Sequence, residues 1–127
     1  MQILLVDDEH EGRSYLASYF ALLGHDVTQC ASAQEALAVL ADIRFDLVIS
    51  DVMMEGMSGL ELTAALTASS RCPQPDIILY SGCVDDQFPA AATRAGVLAY
   101  LPKPIDFRAL RQLLQQVADH RTAAAGD

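Results

Sequence analysis

The sequence predicts an α/β fold, a five-stranded parallel sheet with helices on both faces, wound as five consecutive strand–helix units. Three observations predict it. Apolar runs of strand length alternate five times with stretches of helical periodicity. The runs are apolar on consecutive residues, the pattern of strands buried on both faces. Helix start and stop signals punctuate the intervals, so the helices act as crossovers between parallel strands.

The elements follow in order. Ile3 to Val6 is the first strand, and it stops at Asp7-Asp8. Leu16, Phe20 and Leu23 share one face of the first helix, which Gly24 ends. His25 to Cys30 is a less apolar strand. Ser32-Ala33-Gln34-Glu35 spells a capping box before Ala36, Leu37, Val39 and Leu40. Phe45 to Ser50 forms the third strand. After a loop from Met53 to Met57, Ser58-Gly59-Leu60-Glu61 spells a second capping box ahead of Leu62 and Leu66. Pro73 and Pro75 break the chain before strand four, Ile77 to Tyr80. Asp85 to Ala95 reads as an Ala-rich helix, Gly96 ends it, and Val97 to Leu101 is strand five. Phe107, Leu110, Leu114 and Val117 lie at helical spacing in the last helix.

A chain of 127 residues holds one domain, assigned to residues 1–120, with 121–127 expected as a short flexible tail. At 52% hydrophobic residues it can build a single core of ordinary size. The opening apolar run is too short to cross a membrane, and it lacks the basic start of a signal peptide. A cytoplasmic protein with no membrane attachment is the expectation. A net charge of −9 argues against direct nucleic-acid binding, which needs Lys and Arg to meet phosphates. Cys30, Cys72 and Cys83 form no CxxC pair and no zinc-ligand spacing, so they read as reduced structural thiols.

Right-handed crossovers bring all strand C-termini to one edge, where open α/β sheets bind ligands. Asp7, Asp8 and Asp51 gather there, with Ser81 at the end of strand four and Lys103 just past strand five. Carboxylates about 4 Å apart repel by roughly 4 kcal/mol at an effective dielectric of 20. Three of them ask for compensating cations. Lys103 supplies one charge, and an all-oxygen donor set points to Mg²⁺ for the rest.

Val6-Asp7-Asp8-Glu9, the run Leu47-Val48-Ile49-Ser50-Asp51 with Gly59 following, Tyr80-Ser81-Gly82 and Lys103-Pro104 together resemble the receiver domain of two-component response regulators. The resemblance spans roughly residues 2–119 and implies a flavodoxin-like fold. It implies that Asp51 accepts a phosphoryl group from a phosphohistidine on a sensor histidine kinase or a histidine phosphotransfer protein. It assigns Mg²⁺ to Asp8, Asp51 and the backbone carbonyl of Met53, with Asp7 acting through water. Lys103 would pair with the phosphoryl group, and the Lys103-Pro104 bond is expected to be cis. Ser81 stands where Thr is commoner, as the hydroxyl that turns toward the phosphoryl oxygens. Tyr100 matches the aromatic that swings inward with it. The residues alone leave alternatives: Ser81-Gly82 also fits a tight turn, and Tyr100 also fits a buried-strand filler.

The resemblance further implies that the fourth helix, fifth strand and last helix form a switching surface that controls an unnamed downstream target. It leaves a phosphorylation-dependent homodimer open. Such a domain is not a conventional enzyme, although it promotes its own aspartyl phosphorylation and dephosphorylation. One position departs from the pattern: Glu55 stands four residues after the acceptor, where proline is usual. Two rival readings exist. A Mg²⁺-dependent phosphatase with an aspartyl nucleophile normally carries a second carboxylate two residues on, where this chain has Met53. A phosphate-independent interaction module on the same fold usually loses part of the acid and lysine set.

Overall fold

The computed structural model describes residues 1–69, 74–82 and 87–126, with side chains through residue 123. Cys72, Cys83, Pro73 and the expected helix start at Asp85 lie outside these residues. The elements run β1 (Gln2–Val6), α1 (His10–Leu22), β2 (Asp26–Cys30), α2 (Ala33–Asp42), β3 (Leu47–Asp51), α3 (Gly59–Thr67), β4 (Asp76–Ser81), α4 (Phe88–Ala95), β5 (Ala99–Pro102) and α5 (Phe107–Gly126). All five strands pair in parallel, in the order β2-β1-β3-β4-β5. The predicted fold class is therefore the observed one.

Two apolar layers hold the sheet. Alternate strand residues Leu4, Val6, Val48, Ile77 and Leu79 face α2, α3 and α4 through Ala36, Leu40, Leu62, Leu66 and Ala92. Their neighbours Ile3, Leu5, Leu47, Ile49, Ile78 and Tyr80 face α1 and α5 through Leu16, Phe20, Leu110, Leu114 and Val117. Each fully buried Leu or Ile contributes about 1.5–3 kcal/mol of burial. That two-sided demand explains why β3 is buried at every position.

Strand bounds shift by up to two residues, with β3 starting at Leu47 rather than Phe45 and β5 running Ala99–Pro102 rather than Val97–Leu101. The helix signals hold with two differences. Gly24 adopts φ 91° just beyond α1, a conformation open to glycine at no steric cost. At α3 the capping box is complete: Glu61 N–H donates to Ser58 Oγ, and Ser58 N–H donates to Glu61 Oε1. At α2 only half of the expected box forms. Glu35 N–H donates to Ser32 Oγ, but the Glu35 carboxylate accepts from Ala31 N–H, one residue before the cap. The second difference is α5, which stays helical to Gly126 where an unstructured tail was expected from 121. Alanine favours helix, and Arg121 is tied back to the sheet by Asp76 at 3.5 Å and by the Gln74 carbonyl at 3.2 Å. No helix among the described residues is long and apolar enough to cross a membrane.

Candidate functional site

The strand order reverses between β1 and β3, because the chain leaves β1 to one side for β2 and returns on the other for β3. Such a switch point opens a crevice at the C-terminal edge. Asp7 and Asp8 follow β1 and Asp51 ends β3, so this crevice receives all three acids. Each offers an oxygen within 4.8 Å of the others, a group that could hold a metal ion. Asp7 and Asp51 are 2% and 6% exposed, so water does little to separate their charges. Asp8 is exposed.

Lys103 comes to the same place from the β5–α5 connection. Its Nζ donates to Asp51 Oδ2 at 3.1 Å, and the Lys103-Pro104 bond is cis, as expected. Burial pushes the Asp51 carboxyl above its ordinary value, the Lys103 ammonium opposes this, and the charge on Asp7 adds to the rise. Asp51 Oδ1 accepts from Met53 N–H at 3.2 Å, while the Met53 side chain is exposed. The α3 terminus presses on the acceptor from behind. Gly59 N–H donates to the Val52 carbonyl, and a Cβ at Gly59 would collide with the Asp51 carbonyl oxygen. That contact gives Gly59 its place after the third strand.

Ser81 is buried at the end of β4. Its carbonyl accepts from Lys103 N–H at 3.0 Å and from the Tyr100 hydroxyl at 2.9 Å. Tyr100 is half-buried and meets Phe88 of α4 edge-on at 5.3 Å between ring centroids. The structure thus brings Asp7, Asp8, Asp51 and Lys103 together. Tyr100 joins β5 to the end of β4 and to α4 instead of reaching the acids.

Two contacts escaped the sequence reading. The Tyr80 hydroxyl donates to Asp7 Oδ2 at 2.7 Å within the buried interior. Burial and then this bond push the Tyr80 phenol above its ordinary value. The Glu55 main-chain N–H donates to Asp8 Oδ2 at 3.0 Å. A cleft of about 330 Å³ lined by Glu9, Tyr15, Ile105 and Phe107 adjoins Asp7 and Lys103. A larger groove of about 730 Å³ runs between Tyr19 and α5, past Met1 and His25, but its lining includes no carboxylate. Neither lining includes Asp8 or Asp51, so the site is defined by the acid cluster and Lys103, with the smaller cleft beside it.

The sequence profile described as response regulator receiver domain matches residues 3–115. The chain belongs to this family. As a receiver domain of the two-component response regulator class, it is 39% identical over 119 residues to response regulator protein FleR of Pseudomonas aeruginosa. That match covers 92% of this chain and 24% of FleR. It is 32% identical to transcriptional regulatory protein GlrR of Escherichia coli, over 98% of this chain and 28% of GlrR. The chain thus spans about a quarter of the length of these relatives. Among solved structures, a response regulator receiver protein from Pseudomonas putida superposes with a TM-score of 0.84 at 32% identity, covering 91% of this chain and 95% of that one. Vibrio cholerae chemotaxis protein CheY4 superposes at 0.82 with 29% identity, covering 91% and 97%.

Proposed function

We propose that this receiver domain accepts a phosphoryl group on Asp51 from a phosphohistidine of a sensor kinase or histidine phosphotransfer protein. The observation that carries the reading is the three-acid cluster with the Lys103 ammonium 3.1 Å from Asp51. An Asp51 carboxylate oxygen attacks phosphorus in line. The P–N bond to the donor imidazole breaks as the P–O bond forms, and the imidazole nitrogen keeps the electron pair and takes a proton from solvent. In hydrolysis, water attacks phosphorus, the P–O bond to Asp51 breaks, and inorganic phosphate leaves. Lys103 lies beside the Asp51 carboxylate and offsets the charge that develops on the transferring phosphoryl group.

The donor set fits Mg²⁺: every side-chain ligand is a carboxylate oxygen, and the cluster carries more negative charge than Lys103 alone balances. Asp8, Asp51 and the Met53 carbonyl would hold the ion, with Asp7 acting through water. When bound, Mg²⁺ offsets charge on the phosphoryl oxygens. The chain's own residues align the nucleophile through Met53 N–H and keep bulk water from Asp7 and Asp51. The domain acts on itself and is no turnover enzyme for phosphate esters.

Phosphorylation adds about two negative charges at Asp51. Ser81 and Lys103 answer them by moving closer, and Tyr100 follows because its hydroxyl rides on the Ser81 carbonyl. The switching surface is α4, β5 and α5. Among the described residues of α4 only Ala92 is buried, so little apolar area resists its movement. Taking such an element from 1:99 to 99:1 needs about 5.5 kcal/mol of differential interaction, the order of a few charge-assisted hydrogen bonds. The downstream target is a partner protein that reads this surface.

The test is incubation with acetyl phosphate and Mg²⁺, followed by intact mass. Wild type is expected to gain one phosphoryl group and Asp51→Asn none. Equal labelling of both would refute the reading. Amide exchange through α4 and β5 is expected to change in the phosphorylated form, and an unchanged pattern would remove the switch.

A further inference from the structure

Tyr80 precedes Ser81 in the motif, yet the motif gives it no task. Strand alternation turns its side chain into the α1 and α5 layer beside Ile78, where an apolar residue would satisfy the packing. The residue is 2% exposed, and its side chain carries a hydroxyl through that layer to Asp7 Oδ2. The other Asp7 oxygen accepts from Glu9 N–H at 2.9 Å. The carboxylate is thus gripped on both sides, one grip from the main chain and one from β4. The same ring carries the Lys103 ammonium at 5.1 Å from its centroid, within cation–π range. In register, Tyr80 stands across from Asp51. One side chain therefore touches the acid on one flank of the acceptor and the lysine on the other.

We propose that Tyr80 is a positioning residue for the acid pocket: its hydroxyl fixes the direction of Asp7 and its ring fixes the approach of Lys103 to Asp51. The inference rests on the receiver chemistry proposed above and deepens it by splitting two functions within one residue. The hydroxyl serves the acids that hold the cation, and the ring serves the lysine that meets the phosphoryl group. Groups that orient a metal's carboxylate partners typically govern about 10–100-fold in affinity when removed. The two functions separate by substitution. Tyr80→Phe deletes the hydroxyl and keeps the ring. Tyr80→Leu deletes both while filling most of the same apolar space.

The experiment uses the full chain as wild type, Tyr80→Phe and Tyr80→Leu. Mg²⁺ affinity is measured by calorimetry, with Mn²⁺ paramagnetic resonance as a second probe. The melting temperature of each protein is recorded with and without Mg²⁺, and phosphorylation by acetyl phosphate is followed across Mg²⁺ concentration. Tyr80→Phe is expected to weaken Mg²⁺ about tenfold and to shrink the thermal increment that Mg²⁺ adds, while its rate at saturating Mg²⁺ stays within about twofold of wild type. Tyr80→Leu is expected to lose about tenfold in that saturating rate as well.

A residue that only packs the core would lower the metal-free melting temperature and leave the Mg²⁺ increment and affinity alone. Wild-type Mg²⁺ affinity in Tyr80→Phe, or equal saturating rates in the two variants, would overturn the proposal while the receiver chemistry stood. A wild-type chain that binds no Mg²⁺ and takes no phosphoryl group would bring down both.

Discussion

Replacing Glu55 with proline tests how the departure from the family pattern works. The structure gives the position a specific task, because its main-chain N–H donates to Asp8 Oδ2 at 3.0 Å. Proline has no N–H, so the substitution deletes this bond whatever else it does to the loop. Asp8 is exposed, so the loss is that of a solvent-accessible hydrogen bond to a carboxylate, about 1 kcal/mol. If that bond presets Asp8 for a cation, Mg²⁺ binding weakens about fivefold. Glu55→Pro also removes one negative charge, which Glu55→Gln removes alone. Glu55 is exposed, so the charge effect is expected to be small and to fade at high salt. Calorimetric Mg²⁺ titration of the three proteins at low and high salt separates the two contributions. Tighter or unchanged binding in Glu55→Pro would refute the idea that the Glu55 N–H presets Asp8.

Three further outcomes are expected. Asp51→Asn should raise the Tm of the metal-free domain at neutral pH, because burial raises the Asp51 carboxyl above its unfolded value. With a raised folded value, stability is highest below the unfolded pKa and falls as pH rises through the folded one. The gain in Asp51→Asn should therefore shrink at acid pH, and a gain that grew on acidification would contradict this sign. Gly59→Ala forces a Cβ against the Asp51 carbonyl, so urea unfolding should show a loss of about 1–3 kcal/mol and phosphorylation should slow. Wild-type stability there would mean that the α3 terminus does not press on the acceptor. Cys30 is buried and its thiol is pushed up to about 11, so iodoacetamide at pH 8 should leave the Cys30 peptide unmodified in the folded protein.

The acids and Lys103 were legible in the sequence because each lies at a strand end or in the short connection after it. There the topology, once read as parallel, fixes position almost without regard to side-chain detail. Ser81 was placed by the same logic. Tyr80 was not legible as a site residue. Its letter sits inside a strand and reads as core, and its reach to Asp7 depends on the lateral order of β1, β3 and β4. The Glu55 contact was hidden for another reason. It is made by the main chain, so the side chain visible in the sequence does not carry it. The helical extension beyond residue 120 escaped because it depends on Arg121 meeting Asp76 across the fold, 45 positions away in the chain. The capping motifs were read correctly as helix starts, but the sequence could not say that Glu35 would turn to Ala31 while Glu61 turned to Ser58.

What matters most is which carboxylate takes the phosphoryl group, since Asp7, Asp8 and Asp51 stand so close together. An acyl phosphate can be trapped by borohydride, which reduces the phosphorylated aspartate to homoserine and releases phosphate. Fragment mass spectra of the reduced protein, after loading with acetyl phosphate and Mg²⁺, should place homoserine at position 51 alone. Homoserine at position 7 or 8, or an absence of reduction in a phosphorylated sample, would contradict the assignment of Asp51 as the acceptor.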